Sequence, residues 1–227
     1  MTTPIIYIIF PLLIAFVLYI FHKRTTLMFY IGLSLCVLLI LFALFQDFGA
    51  IWKVGPISLE IESSMVVFGR TFSITDQDKY FLIFVYACLA IWFGATRVVK
   101  VNSRFIPLSL AIVSLLTSAL AVEPFLYSAI LVEIAVLFSI PLLLQPQKPI
   151  GRGAVRFLVY QSLAMPLILF GGWLIGGIQA NLSDPVRQIQ SVLFLGIGFA
   201  LWLAIVPFQS WVPQLSKEID PLVSGFI

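Results

Sequence analysis

The stretch PFLYSAILVEIAVLFSIPLLL, residues 124–144, decides the fold class because Glu133 is its only charged residue. A helix rises about 1.5 Å per residue and the hydrocarbon core of a bilayer is about 30 Å thick, so this run is long enough to span a membrane. Glu133 lies near its middle, where an ionisable side chain costs on the order of 3 kcal/mol. Such a residue usually carries protons or ions, or belongs to a structural charge pair.

The rest of the chain has the same character. Of its 227 residues, 61% are hydrophobic and 10% are charged, which is far from the composition of soluble domains. The alternation typical of barrel strands is absent, and lipid otherwise admits only helices. We therefore predict an all-α integral membrane protein with about seven transmembrane helices, near Pro4 to Phe21, Thr26 to Phe45, Lys79 to Thr96, Phe105 to Val122, Pro124 to Leu144, Gly153 to Ile178 and Ser191 to Val206.

Charges in the connections predict the orientation. In the connections after the first, third and fifth spans, every charged residue is basic: Lys23, Arg24, Arg97, Lys100, Arg104, Lys148 and Arg152. The other connections hold the acidic residues Asp47, Glu60, Glu62, Asp76, Asp78, Glu123 and Asp184. The positive-inside rule then predicts that the N-terminus lies outside and that the seventh span ends in the cytoplasm.

The longest connection, Gln46 to Asp78, mixes β-forming and polar residues around Gly55, Pro56 and Gly69. Alternation over Ile57 to Ile61 suits a half-exposed strand. We predict a short hairpin there, lying on the outer surface.

Prolines interrupt the seventh span in GIGFALWLAIVPFQSWVPQLSKEIDPLVSGFI, residues 196–227. Pro207 removes a backbone donor and clashes with the preceding turn, and Pro213 and Pro221 follow. We therefore predict a seventh helix broken at Pro207. Backbone groups freed at this depth must line protein or a water-filled cavity, and transporters use broken helices in this way.

Three segments carry a family resemblance. Residues 198–227 resemble the broken seventh helix of the antiporter-like, proton-conducting subunits of respiratory complex I and of Mrp cation/proton antiporters, with the pattern GFxxKxxxVPFHxWLPDAxxxAPxPVSxFL. LVEIAVLFSIPLLL, residues 131–144, resembles the fifth-helix glutamate segment of that family. GRGAVRFLVYQSLAMPLILFGG, residues 151–172, resembles its sixth helix.

The resemblance implies a division of the chain. It runs from about Phe105 to Ile227, so residues 105–227 would form a partial antiporter-like repeat of helices four to seven. Residues 1–104 would form three N-terminal helices with the outer loop at 46–78. Members of the family typically have two inverted five-helix repeats after three helices, so the similarity covers an N-terminal half. A gene fragment, a split subunit completed by a partner chain and a degenerate paralogue are all consistent with it.

The resemblance also implies a site. In the family, a membrane glutamate and a lysine on the broken helix form a pair whose changing protonation passes protons along. Aligning the VPF triplets places Trp202 where the lysine stands and Gln209 where a histidine usually stands. Glu133, Arg156 and Gln209 would then mark the proton path, with Trp202 and Pro207 on the broken helix.

Each of these residues has a simpler interpretation. Glu133 could be a protonated carboxyl group hydrogen-bonded in a helix interface, since desolvation favours its neutral form when no cation is near. Arg156, the nearest candidate to replace the lysine, could extend to the headgroups instead. Ser162 and Tyr160 could hydrogen-bond across helices without a transport role.

Other function classes lack their motifs. No basic segment is interleaved with stacking aromatics, so we expect no nucleic-acid partner. There is no CxxC, HExxH, GxSxG or phosphate loop, and a single histidine cannot support a His-rich metal site, so we expect no catalytic centre, metal or cofactor.

The resemblance therefore implies a non-redox membrane subunit of a complex I-like or Mrp-like assembly, with other membrane subunits and the bilayer as partners. It would lie in a bacterial plasma membrane or an organellar inner membrane and take part in proton transfer through Glu133. A non-conducting structural subunit, in which Trp202 replaces the lysine, and an unrelated secondary transporter with its site at the Pro207 break are the alternatives.

Overall fold

The computed structural model describes residues 2–21, 23–45, 51–54, 57–60, 62–99, 101–144, 150–180 and 185–227, which are mostly helical. The loop residues 46–50 and the charges Lys100, Lys148 and Asp184, used above for orientation, lie outside these ranges. Contacts divide the chain into one compact unit that runs to Glu123 and a second from Pro124 to Gly225. The predicted boundary at residue 104 rests on the family resemblance and stays a prediction.

Four long helices build the first unit: α1 (Phe10–Ile20), α2 (Thr25–Phe45), α3 (Lys79–Ala95) and α4 (Phe105–Ala121), with a π-helical turn at Ile5–Ile9 before α1. Within the unit, α2 packs against α3 and α1 packs against α4. The side chains of α4 are buried along nearly its whole length. These helices follow from long apolar sequences, in which only a helix satisfies every backbone group in lipid.

Tyr7 shows how this unit satisfies a buried backbone group. Residue 11 is proline and has no N–H, so it cannot donate to the carbonyl of Tyr7 four residues before it. The hydroxyl of Tyr86 in α3 donates to that carbonyl at 3.0 Å, and the hydroxyl of Tyr7 donates to the carbonyl of Leu39 in α2 at 3.0 Å. Both tyrosines are fully buried. These two bonds therefore join the first three helices.

The long connection forms two antiparallel hairpins, where the sequence predicted one. Strand β1 (Ile51–Val54) pairs with β2 (Ile57–Glu60), which confirms the predicted strand apart from Ile61, a residue outside the described ranges. Strand β3 (Ser64–Val67) pairs with β4 (Arg70–Ser73), and β5 (Val122–Glu123) extends this sheet.

The second hairpin turns at Phe68 and Gly69. Both residues have positive φ, 50° and 72°, as two-residue hairpin turns of the favoured hand require. Glycine adopts this conformation without a steric penalty, and Phe68 is fully exposed at the tip. The Phe-Gly pair is therefore the sequence signal for the additional hairpin.

The second unit begins with a 3-10 turn at Phe125–Tyr127 and contains α5 (Ser128–Leu143), α6 (Arg152–Ala180), α7 (Pro185–Trp202), a 3-10 turn at Phe208–Trp211, α8 (Val212–Glu218) and α9 (Pro221–Phe226). Helix α6 packs against α5, α7 and α8. Glycines allow the closest approaches. A β-carbon at Gly171 would lie 2.8 Å from Leu195 in α7, and one at Gly172 would lie 2.9 Å from Leu126.

Within the described residues, four helical segments are long and apolar enough to cross a membrane: Thr25–Phe45, Asp76–Ala95, Phe125–Leu143 and Arg152–Ile175. Ile5–Ile20 and Phe105–Ala121 are apolar but shorter. Helix α7 meets neither description, although it overlaps the predicted seventh span. It starts earlier than predicted, at Pro185, in a polar first turn, and it ends at Trp202 rather than at Pro207.

Candidate functional site around Glu133 and the interrupted helix

Glu133 lies on α5, near the middle of the apolar segment Phe125–Leu143. The hydroxyl of Ser162 in α6 donates a hydrogen bond of 2.6 Å to Oε1 of Glu133. The second carboxyl oxygen, Oε2, is buried and has no hydrogen-bond partner within the described part of the chain. The carboxyl group thus has one oxygen fixed by protein and one available to accept or carry a proton.

Backbone geometry adds polarity beside Ser162. Pro166 lies four residues later in α6 and has no N–H, so the carbonyl of Ser162 loses its ordinary helical donor. Both Ser162 and Pro166 are exposed on the surface of the second unit. A hydroxyl, a carbonyl and a carboxyl group therefore lie together at mid-span, where polar groups are costly and usually functional.

Helix α7 ends by a local cap, and this cap explains why the break precedes Pro207. The N–H of Ile205 donates to the carbonyl of Ala200 at 2.9 Å, and the N–H of Ala204 donates to the carbonyl of Leu201 at 3.3 Å. These two bonds, with Ala204 at a φ of 50°, form a Schellman motif. Proline commonly follows such a cap because it cannot continue a helix.

The cap leaves the carbonyl of Trp202 without a backbone partner in α7. The side-chain amide of Gln161 in α6 donates to this carbonyl at 3.3 Å. Gln161 is buried, so the bond replaces one that water would otherwise make. One side chain of α6 thereby completes the end of the interrupted helix.

Residues of α6 that precede Gln161 make aromatic contacts with the 3-10 turn Phe208–Trp211, which follows the break. Phe157 packs on Trp211 with ring centroids 4.9 Å apart, and Tyr160 meets Phe208 edge-on at 6.1 Å. The hydroxyls of Tyr160 and Ser210 lie 3.4 Å apart. A continuous α6 therefore runs beside both halves of the broken segment and keeps them in register.

The start of α6 is held by the end of α8. The carboxylate of Glu218 accepts a hydrogen bond of 2.8 Å from the N–H of Gly153, in the first turn of α6. A β-carbon at Gly153 would lie 2.5 Å from the backbone nitrogen of Leu215, so only glycine permits this approach. An acidic group at a helix N-terminus is favoured by the helix dipole. The Gly151-Arg152-Gly153 sequence thus accommodates a side chain of the same chain.

Trp202, at the family's lysine position, is half-buried. Its ring meets Phe199 edge-on at 5.8 Å, and Phe199 stacks on Phe125 at 6.1 Å. The indole Nε1 is buried without a hydrogen-bond partner among the described residues. An aromatic cluster thus occupies the position where the resemblance implies a cation.

Two other predicted site residues, Arg156 and Gln209, make no bond with Glu133 among the described residues. Arg156 is exposed and makes no ion pair with Glu133, and Gln209 is exposed and makes no hydrogen bond with it, within the part of the chain that the structure describes. Gln161 and Glu218, whose roles the sequence did not reveal, hold the ends of the broken segment. The sequence signal for the Glu218 contact was Gly151-Arg152-Gly153 at the predicted start of a helix, since glycines there allow another segment to approach closely.

Metal ligands do not cluster here. The described residues contain no group of three or more His, Cys, Asp or Glu side chains that could hold a metal ion. Glu133 and Ser162 can form hydrogen bonds and exchange protons at this site.

No family model matches the chain. The chain is similar to NADH-ubiquinone oxidoreductase chain 2 of Didelphis virginiana, with 29% identity over 98 residues, 42% of this chain and 28% of that protein. It is similar to NADH-quinone oxidoreductase subunit N of Halorhodospira halophila, with 28% identity over 89 residues, 34% and 18% of the two chains. It is also similar to NADH-quinone oxidoreductase subunit 13 of Thermus thermophilus, with 28% identity over 156 residues, 62% and 32% of the two chains.

The matched part of the chain spans between 18% and 32% of the length of these three relatives. The similarities agree with the complex I side of the resemblance drawn from the sequence. They do not extend to the Mrp antiporters or to the assignment of an N-terminal half, which stay predictions. The chain is thus a mostly helical protein with membrane-length apolar helices and weak similarity to NADH-quinone oxidoreductase subunits.

Proposed function

We propose that this chain is a multi-pass membrane subunit of a proton-translocating, NADH:quinone oxidoreductase-like complex, and that it takes part in proton transfer through Glu133. The observation that carries the proposal is the mid-span carboxyl group with one oxygen bonded to Ser162 and one buried oxygen without a partner. Similarity to NADH-quinone oxidoreductase subunits favours this assembly over an Mrp-type antiporter.

Proton transfer in this proposal uses both oxygens of Glu133. Ser162 donates to Oε1 and holds the carboxyl group in place, while Oε2 takes up a proton from one side and releases it to the other. Buried polar atoms normally have a protein or water partner. Three further buried atoms near the break, Nε1 of Trp202, Nε1 of Trp211 and Oε1 of Gln214, have none among the described residues. They are positions where water would complete the hydrogen bonding.

The absence of a lysine at position 202 changes the expected mechanism. A nearby cation would stabilise the ionised form of Glu133, and the indole of Trp202 cannot. Among the described residues, Ser162 is therefore the group that donates to the carboxyl of Glu133.

Topology and location follow from the same proposal. The chain would cross the membrane seven times with its N-terminus outside, and residues 105–227 would act as the antiporter-like part. Four of the seven spans would be the longer apolar segments, and helices α1, α4 and α7 would be the other three. The membrane would be a bacterial plasma membrane or an organellar inner membrane, with other membrane subunits as neighbours.

A non-conducting structural subunit is the second candidate. The aromatic packing of Trp202 favours it. So does Arg156, which is exposed and makes no ion pair with Glu133 among the described residues, because neither residue then supplies the cation on which the family's mechanism depends. In that case Glu133 would only be a neutral hydrogen-bonding group between α5 and α6.

Purification of the full chain from its native membrane in mild detergent tests the assembly. We expect NADH-quinone oxidoreductase subunits, including those with flavin and iron-sulfur centres, to co-purify with it and to be identified by peptide mass spectrometry. Recovery with cation/proton antiporter subunits, or without any partner under conditions that keep an authentic oxidoreductase intact, would contradict the proposal.

A further inference from the structure

Four cations gather at one end of the first unit. Lys23 and Arg24 lie in the turn between α1 and α2, Arg97 follows α3, and Arg104 immediately precedes α4. The α1–α2 turn joins two of these helix ends, and contacts of Arg97 with α2 and of Arg104 with α1 bring the other two beside them. Two helix N-termini, those of α2 and α4, point to the same end and add partial positive charge.

Aromatic rings hold the two arginines. The guanidinium carbon of Arg97 lies 4.2 Å from the centroid of Phe29 and 5.3 Å from that of Tyr30, both on the second turn of α2. The guanidinium carbon of Arg104 lies 6.0 Å from the centroid of Tyr19, in the last turn of α1. Stacking of this kind fixes the plane of the guanidinium group and leaves its N–H groups free to bind an anion.

Among the described residues, no acidic side chain pairs with this cluster. Within the described ranges, none of the four side chains makes an ion pair or a side-chain hydrogen bond. The described acidic side chains of the first unit belong to its other end, where the hairpins lie: Glu62, Asp76, Asp78 and Glu123. The arginine fork matches the oxygens of a phosphate group, so the cluster fits a phosphate better than a halide or a single carboxylate.

Exposed apolar side chains border the cations. Ile20 is 59% exposed, Tyr30 62% and Val98 88%, and each lies within one or two turns of a cation of the cluster. A free phosphate ion would gain nothing from such a surface. The acyl chains of a lipid would cover it, and basic clusters between membrane helices are known to bind anionic headgroups.

We propose that this end of the first unit binds an anionic glycerophospholipid. Arg97 and Arg104 hold its phosphate group, Lys23 and Arg24 add positive charge, and the acyl chains lie along the neighbouring apolar surface. The site is independent of Glu133, so it would exist in a conducting and in a structural subunit alike.

The test is lipid selectivity of the full chain in phosphatidylcholine vesicles at fixed ionic strength. Spin-labelled phosphatidylglycerol or spin-labelled phosphatidylcholine is added in trace amounts, and electron paramagnetic resonance gives the fraction of label immobilised by the protein. We expect preference for phosphatidylglycerol, and a loss on the order of fivefold per arginine in R97Q/R104Q. The variant R97K/R104K keeps the charge without the planar fork and should retain an intermediate preference.

Controls separate a site from a general charge effect. Lys217→Gln removes an exposed cation of the second unit and should leave the preference unchanged. Tyr19→Leu/Phe29→Leu keeps all four charges but removes two of the three ring contacts, including the shorter one to Arg97. It is the deciding variant if R97Q/R104Q fails to fold. We expect it to lower the preference.

Several results would overturn the proposal. They are equal immobilisation of the two lipids, an unchanged preference in R97Q/R104Q or in the aromatic double variant, and an equal loss in Lys217→Gln. Complete displacement of the labelled phosphatidylglycerol by inorganic phosphate would show that the cluster binds a free anion and not a lipid.

Discussion

Ser162 and Glu133 meet between α6 and α5 through a hydrogen bond of 2.6 Å. This bond links the one acidic side chain of the 124–144 span to the helix that supports both halves of the interrupted segment. Helix α6 donates to Glu133 from Ser162 and to the end of α7 from the adjacent Gln161. A change at either residue therefore tests a distinct part of the site.

Ser162→Ala should weaken both the packing and the proton chemistry of Glu133. It leaves Oε1 without a donor, and because this bond is exposed at the surface of the second unit we expect a loss of about 0.5–1.5 kcal/mol in stability. We expect a lower thermal midpoint in detergent and a carboxyl C=O stretch of Glu133 shifted to higher wavenumber in infrared difference spectra. The control is Ser34→Ala, since Ser34 bonds only to a carbonyl of its own helix. An unchanged carboxyl band would show that the hydrogen bond does not form in the membrane.

Gln161→Leu should loosen the end of α7. The substitution keeps the apolar volume but removes the donor to the carbonyl of Trp202, and we expect a loss of about 1–3 kcal/mol in stability. Amide hydrogen exchange should become faster at residues 203–206 and at Phe208, around the cap. Gln209→Leu is the matched control, because Gln209 is exposed. Equal effects of the two substitutions would rule out a capping role for Gln161.

Gly153→Ala should separate α8 from the start of α6. The added methyl group would lie 2.5 Å from the nitrogen of Leu215 and would disturb the hydrogen bond to Glu218. We expect a loss of about 1–3 kcal/mol from overpacking, measured as a lower thermal midpoint. Gly196→Ala has open space around it and should leave stability unchanged or raise it by about 0.5–1 kcal/mol. The same response at both positions would contradict the close contact at Gly153.

Tyr86→Phe should destabilise the first unit by about 1–3 kcal/mol, because the buried carbonyl of Tyr7 then loses a hydrogen-bond donor. Tyr80→Phe is the control, since Tyr80 is 79% exposed at the start of the same helix. Thermal unfolding followed by circular dichroism compares the two. A Tyr86→Phe midpoint equal to that of Tyr80→Phe would show that another group satisfies the Tyr7 carbonyl.

Sequence predicted the helices well and the contacts between them poorly. Apolar length alone placed Thr25–Phe45 and Phe105–Ala121 within one residue of their predicted ends. The position of the break could not be predicted as well, because Pro207 is conspicuous in the sequence while the αL conformation of Ala204 is not.

The sequence likewise predicts one part of the candidate site, Glu133, and not the residues that contact it. Glu133 stands out as a lone acid in an apolar span, and its cost in lipid makes it visible without a structure. Its hydrogen-bond partner Ser162 does not stand out in the sequence, because the periodicity of an all-apolar helix does not show which face of α6 meets α5. Ser162 was one of several possible hydrogen-bonding residues, and the depth at which Gln161 meets the end of α7 depends on the register of two packed helices.

The most direct test of the central claim is proton translocation per quinone reduced, measured with Glu133→Gln in inverted membrane vesicles that contain the intact complex. Glu123→Gln serves as the matched control, since Glu123 is an exposed carboxylate bonded to Ser73 outside the helices. We predict that Glu133→Gln lowers the ratio while assembly is retained, and that Glu123→Gln leaves it unchanged. An unchanged ratio in Glu133→Gln, with the complex fully assembled, would contradict proton transfer through Glu133 and would leave the chain a structural subunit.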